Sequence, residues 1–245
     1  MNHAVVFAGP TLDAATLTTV LDVRVHGPVA RGDVLRAVEE GATALGLIDG
    51  YFERVPAVWH KEILWALAKG CRVYGAASMG ALRAAELAPF GMIPVGTIAE
   101  AYLRGEFTDD DEVAVAHRGP EDGYAPLSEA MVNVRATLAA AHAAGVIGKG
   151  THDTAVALMK RRFYAERSWA LLASEGPRHG LPRDELDALS AWLPTGKVDV
   201  KRRDALALLT RMRDDKGSPP AAPSWCFEPT DAWETLRRSL ARRPP

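Results

Sequence analysis

Over roughly the first 120 residues, short apolar runs alternate with segments whose apolar positions recur every three or four residues. That alternation predicts a parallel sheet covered by helices. Ala4–Ala8 reads as the first strand, ending in Gly9-Pro10-Thr11-Leu12. Val23–His26 reads as the second, followed by Gly27-Pro28 and a helix from Asp33 to Glu40. Ala44–Ile48 is the third and ends in Asp49-Gly50. Pro56 stands where proline opens a helix, and PAVWHKEILWALAKG runs to Gly70, a suitable stop. Arg72–Ala76 is the fourth strand, and an Ala/Leu-rich helix begins at about Met79. A helix over Ile98–Arg104 precedes a further strand expected over Asp111–His117.

From Pro126 the pattern is helical throughout. PLSEAMVNVRATLAAAHAAG, THDTAVALMKRRFYAERSWALLASEG, LPRDELDALSAWLP and DVKRRDALALLTRMRDDKG all carry apolar spacing near 3.6. Ser128, Asp153, Pro182 and Pro194 supply starts and stops. Lys216–Pro223 is rich in Gly, Pro, Ser and Ala and reads as a strap, after which WCFEPTDAWETLRRSL offers a short helix. The expectation is an α/β, Rossmann-like parallel-sheet part over residues 1–125. An all-helical region over 126–215 and a Pro-rich strap and tail over 216–245 follow it.

Composition narrows the class. At 245 residues and 48% apolar, the chain is long enough for a sizeable core. No apolar run approaches the ~20 residues that span a bilayer, so no membrane partner is expected. The opening MNHAVVFAGP lacks a basic start and a long apolar stretch, and two cysteines make no disulfide framework. A cytoplasmic location is the expectation. The net charge of −2 is unevenly placed, −7 over residues 1–148 and +5 over 149–245, an asymmetry suited to steering a protein partner. The basic part has no aromatic interleaving, which argues against nucleic acid.

Candidate chemistry gathers at the predicted strand ends. In a doubly wound sheet ligands bind at the carboxyl ends of the strands, and Thr11, His26, Asp49 and Ser78 all follow predicted strands. Ser78 lies in RVYGAASMGALRAAEL, where Ala76-x-Ser78-x-Gly80 resembles a nucleophile elbow with alanine for its first glycine. The bland reading is that Ser78 caps a helix. His60, in the helix after the third strand, is the candidate base, and Asp49 the residue to orient it, although Asp-Gly is also a common turn pair. The N–H groups of Met79 and Gly80 are candidate oxyanion donors, with Gly9 and Thr11 completing the hole. Arg83 is a candidate for a substrate carboxylate, or a simple helical partner of Glu86. His117 is a reserve base. The run Asp109-Asp110-Asp111-Glu112 invites a metal but lacks EF-hand spacing and reads better as a solvated turn, so no metal and no cofactor is expected. Cys71 begins the strand whose end carries Ser78, roughly 20 Å away at about 3.3 Å per residue, and belongs to the opposite edge. Cys226 lies beside Trp225 and Phe227 in the tail.

Seven strings in order, VFAGPTL, GLIDGYF, PAVWHKEIL, VYGAASMGALRAAEL, GM-x-x-VG, DDDEVAVAH and PLSEAMVNVR, resemble the core of the TfuA-like family over about residues 4–140. The C-terminal helices match only loosely, and Ala76-Ala77 stand where a glycine nearer the serine is expected. The resemblance implies a role beside a YcaO enzyme in making ribosomal peptide natural products, notably backbone thioamides. It also implies a thiocarboxylated ubiquitin-like sulfur-carrier protein as partner. YcaO enzymes activate the amide with ATP, and no Gly-x-x-x-x-Gly-Lys-Ser/Thr string occurs in this sequence. Two roles follow from the resemblance and the candidate site together. One is a hydrolase in which Ser78, served by His60 and Asp49, releases sulfide from the carrier. The other is a non-catalytic activator that docks on YcaO. A stand-alone serine esterase is a third.

Overall fold

The computed structural model describes residues 3–53, 55–215 and 223–241. The elements run β1 (Ala4–Phe7), α1 (Ala14–Val20), β2 (Arg24–His26), α2 (Asp33–Glu39), β3 (Ala44–Leu47), α3 (His60–Ala68), β4 (Arg72–Gly75), α4 (Met79–Leu87), β5 (Ile93–Pro94) and α5 (Gly96–Leu103). The chain continues through α6 (Met131–Ala143), α7 (Lys149–Arg161), α8 (Trp169–Glu175), α9 (Arg183–Gly196), α10 (Val200–Asp214) and α11 (Asp231–Ala241). No helix among the described residues is long and apolar enough to cross a membrane.

The five strands form one parallel sheet in the order β2-β1-β3-β4-β5. Strand alternation sends Val5, Phe7, Leu45, Leu47 and Val73 into one apolar layer with α2, α3 and α4. Val6, Ala8, Ile48, Tyr74 and Ala76 face the other layer, with Leu17 of α1 and Leu208, Leu209 and Met212 of α10. Both faces are thus covered, as a parallel sheet requires. At Gly46 a Cβ would stand 2.7 Å from the Met212 sulfur and 3.0 Å from Leu208 Cδ2, so α10 lies tightly on β3. Polar contacts tie the same helix down. Asp204, 2% exposed, accepts from the Ile98 N–H at 2.8 Å and so caps α5 from another element. Gly96, with φ +89°, leaves room for that carboxylate, which a Cβ would meet at 2.4 Å. At the far end, the Tyr74 hydroxyl donates to Asp215 at 3.0 Å.

Packing divides the chain into Met1–Thr108 with Arg202–Pro245, and Asp109–Lys201. The three sequence segments ending at 125, 215 and 245 follow composition and periodicity, and they cut across these units of packing. The strap Lys216–Pro223 lies outside the described residues except for Pro223. The second unit has its own core, where Met131, Val134 and Leu138 of α6 meet Ala155, Leu158 and Met159 of α7 and Leu186 and Leu189 of α9.

Several local expectations are corrected. No strand forms over Asp111–His117: Asp110–Glu112 is a 3-10 turn, and the segment's polar groups are drawn to cations instead. Arg167, with no exposed surface, donates to the Asp111 carbonyl at 2.7 Å and to its carboxylate, while Arg135 grips Glu112 at 2.9 and 3.0 Å. The long helix expected over 151–176 breaks into α7 and α8 around that buried arginine. Two elements were not anticipated. One is α1, whose Thr-rich stretch is started by Asp13 accepting from Thr16 N–H; the other is the two-residue edge strand β5.

Helix α3 begins at His60, four residues later than Pro56 suggested, because Glu62 fixes the start. Its carboxylate accepts from the Trp59 N–H at 3.1 Å and from the Gly32 N–H at 2.8 Å. Burial pushes Glu62 from 4.5 up to about 7, against the pull of those N–H bonds. The folded chain therefore holds this proton more tightly than the unfolded one. Its stabilising share is fully present below pH 4.5 and is lost as pH rises through about 7. Unfolding free energies from urea titrations across that window should fall in the wild type relative to Glu62→Gln, by on the order of 3 kcal/mol in total. Parallel pH curves would contradict the assignment.

Candidate functional site

In the order β2-β1-β3-β4-β5 the chain reverses direction across the sheet between β1 and β3, and ligand crevices open beyond the carboxyl ends of strands at such a switch. Gly9–Thr11 follows β1, Asp49-Gly50 follows β3 and Ala77-Ser78 follows β4, so three adjacent strands deliver these residues to one edge.

Asp49, 1% exposed, closes the β1 exit onto β3. Its Oδ2 accepts from the N–H groups of Gly9 at 2.8 Å and Thr11 at 3.0 Å, and its Oδ1 accepts from the Thr11 hydroxyl at 2.6 Å. The next turn is locked to the same strand. Gly80 N–H donates to the Ile48 carbonyl at 3.2 Å, and a Cβ on Gly50 would meet Met79 Cγ at 2.7 Å. Between them Ala77 has φ +65°, a left-handed conformation that a residue with a Cβ adopts only under constraint. Glu53, on the loop leaving β3, is a second such residue at φ +63°. Ser78 occupies the N-cap position of α4, yet its side chain makes no capping bond; its carbonyl accepts from Ala81 and Leu82 instead. The hydroxyl is thus not a helix cap. Ser78 is 2% exposed, and the N–H of Met79 has no acceptor among the described residues.

Several sequence-predicted roles do not assemble. Asp49 does not orient His60, because its oxygens serve Gly9 and Thr11. His60 Nε2 instead meets Glu86 Oε2 at 2.7 Å, and Arg83 meets the same oxygen at 2.7 Å while its Nε donates to the Val58 carbonyl at 3.3 Å. Burial would raise the Glu86 carboxyl, but the bonds from His60 and Arg83 outweigh it and hold the group below its ordinary value. Glu86 lies eight residues beyond Ser78, about 12 Å along a helix rising 1.5 Å per residue. His60 is therefore anchored at the C-terminal half of α4, away from its N-cap. Arg83, spent on Glu86 and Val58, is not poised for a substrate carboxylate. The N–H groups of Gly9, Thr11 and Gly80 are committed within the protein, and of the four only that of Met79 has no acceptor among the described residues.

The remaining candidates belong elsewhere. His117, whose Nδ1 faces the Arg118 carbonyl at 2.7 Å, lies in the Asp109–Lys201 unit. In the acidic run, Lys160 contacts Asp109 at 3.1 Å, Glu112 at 2.9 Å and Asp111. Among the described residues no group of three or more His, Cys, Asp and Glu is arranged to hold a metal. Cys71 is buried with its thiol on the Ala42 carbonyl at 3.1 Å, and burial pushes that thiol up; Cys226 is exposed.

A family model described as TfuA-like protein matches residues 49–168. Over those residues the chain is similar to the TfuA-like family. No curated protein matches the chain. The TfuA-like stretch opens on Asp49 and carries His60, Ser78, Met79, Gly80 and Arg83, whereas Gly9 and Thr11, the partners of Asp49, precede it. The Asp49 carboxylate thus joins the TfuA-like stretch to the first strand. Asp49→Ala would strand two buried N–H groups and a hydroxyl, with an expected cost of about 3 kcal/mol. A urea midpoint within error of wild type would show that water or neighbours replace it.

Proposed function

We propose that this TfuA-like protein works beside a YcaO enzyme in the biosynthesis of ribosomally made peptides. In this reading it releases sulfide from the C-terminal thiocarboxylate of a ubiquitin-like sulfur-carrier protein for backbone thioamide formation. Ser78 Oγ attacks the carbonyl carbon, the C–S bond breaks, and hydrosulfide leaves carrying the hydroxyl proton. The balance therefore requires no separate acid. Water then hydrolyses the acyl-serine to a carboxylate and restores the hydroxyl. Hydrosulfide is a good leaving group, so one oxyanion donor, Met79 N–H, is a smaller handicap here than it would be for an amide.

The observation that carries this reading is the β4–α4 corner. A constrained Ala77 presents a serine whose side chain is not used as a helix cap, beside the Asp49–Thr11 pair and the sheet's switch point. The reading requires the incoming tail to uncover Ser78, which is sealed at rest. Mass spectrometry of an acid-quenched mixture with thiocarboxylated carrier tests it, with an ester between the carrier and the Ser78 peptide expected. Sulfide release with no such ester would overturn the covalent step. The second reading, a docking activator of YcaO, is favoured by the internal commitment of Gly9, Thr11 and Gly80 N–H groups and by the His60–Glu86 pair. It predicts YcaO activation that does not depend on the Ser78 hydroxyl.

A further inference from the structure

The two C-terminal helices are held in contrasting ways. Helix α10 is built into the sheet layer through Leu208, Leu209 and Met212 and is tied by Asp204 and Asp215. Helix α11 rests on α2 and α3 through a narrow apolar stripe. Trp233 and Leu236 are 1% and 7% exposed, and Leu240 is half-buried over Gly32, where a Cβ would meet its methyl carbon at 3.1 Å. These anchors stand at i, i+3 and i+7, the spacing of an amphipathic helix seated in a groove. The seat is Leu35 of α2 with Trp59 and Trp65 at the start and middle of α3, and the Trp65 and Trp233 rings lie 5.6 Å apart. Among the described residues no hydrogen bond or ion pair joins α11 to α2 or α3; its polar bonds are all local. The rim is cationic, with Arg31 over Trp59 at 5.3 Å and Lys69 over Trp65 at 5.8 Å. Trp59 and Trp65 fall within the TfuA-like stretch, and α11 falls outside it.

We propose that the α2/α3 face is a helix-docking groove that α11 occupies as an exchangeable internal ligand. The external ligand it fits is an amphipathic helix of a protein partner, with a bulky aromatic and two leucines at the same spacing and acidic flanks to meet Arg31 and Lys69. The tether gives α11 a high effective concentration, so a free helix binds weakly until the internal one is loosened. The inference does not depend on the chemistry at Ser78.

The test uses the full chain and a fluorescent peptide of residues 227–241 followed by anisotropy. Wild type should bind it poorly. The full-length double variant Trp233→Ala/Leu236→Ala, whose own helix lacks its anchors, should bind it about tenfold or more tighter. Adding Trp65→Ala should abolish that gain. A peptide carrying R237E and R238E should bind the double variant more tightly than the parent peptide at low salt, with the difference lost at 1 M salt, where the Debye length is about 3 Å. Equal binding to wild type and the double variant would overturn the proposal. Should the double variant fail to fold, hydrogen exchange on wild type decides: α11 amides are expected to exchange about tenfold or more faster than those of α3. Equal protection of the two helices would make α11 a fixed part of the core.

Discussion

Replacing Ser78 with alanine will reduce sulfide release from a thiocarboxylated carrier by about 10³-fold or more, a lower bound beside the roughly 10⁶-fold loss that follows removal of the serine nucleophile from a serine protease. Carrier affinity should stay within about twofold, because the hydroxyl is one buried group on a turn fixed by Gly80, Met79 and Gly50. Stability should fall by only about 1 kcal/mol, the ordinary net worth of one hydroxyl's interactions. Thioamide formation by the YcaO enzyme, supplied with excess free sulfide, should be unaffected. The measurement is direct: sulfide trapped over time from carrier with wild type or Ser78→Ala. An unchanged rate would leave the docking reading in place of the hydrolase. A loss in the sulfide-fed reaction as well would mean that the substitution damages the partner surface rather than a chemical step.

The largest structural effect is expected at Gly80. A Cβ there would stand 1.8 Å from the Leu47 carbonyl oxygen and 2.5 Å from its carbon, both backbone atoms of β3 that cannot rotate aside. Gly75 interlocks with it from β4, since a Cβ on Gly75 would lie 2.1 Å from the Gly80 carbonyl. Gly80→Ala should therefore drive α4 off β3, break the Gly80-to-Ile48 bond and cost about 4 kcal/mol or more. Gly150→Ala, with nothing within 4 Å and a helical backbone, is the matched control and should be neutral or mildly stabilising. Urea unfolding of the two variants checks both at once, and a Gly80→Ala chain as stable as wild type would refute the packing argument.

What the sequence could disclose depended on how local each cause was. Strands β1, β3 and β4 are short apolar runs between turn residues, and the Ser78 corner is a strand-to-helix junction written in consecutive residues; all were legible. So was the shared edge of Thr11, Asp49 and Ser78, which follows from parallel strands ending alike. The partners were not. Asp49 turns to Gly9 and Thr11 because their N–H groups lie on the neighbouring strand's exit, and His60 turns to Glu86 because α3 lies along α4. Those are facts of packing that no spacing encodes. The apolar run Val113–Ala116 imitates a strand, but Arg167, more than fifty residues away, claims the adjoining backbone. The left-handed Ala77 was equally hidden, since alanine in a turn carries no signature of its conformation.

Helix α10 fixes an order of events during synthesis. The face of the sheet bearing Val6, Ile48 and Tyr74 stays only partly covered until residues 205–212 have left the ribosome, because Leu208, Leu209 and Met212 supply the part of its cover that Leu17 of α1 does not. A nascent chain halted before that point would expose an adhesive ledge of strands, an aggregation hazard that chaperones would have to shield. The same dependence means that a fragment trimmed to residues 49–168 lacks β1, β2, β3 and the covering helix, and so leaves the hydrogen-bonding edge of β4 open to association with other chains.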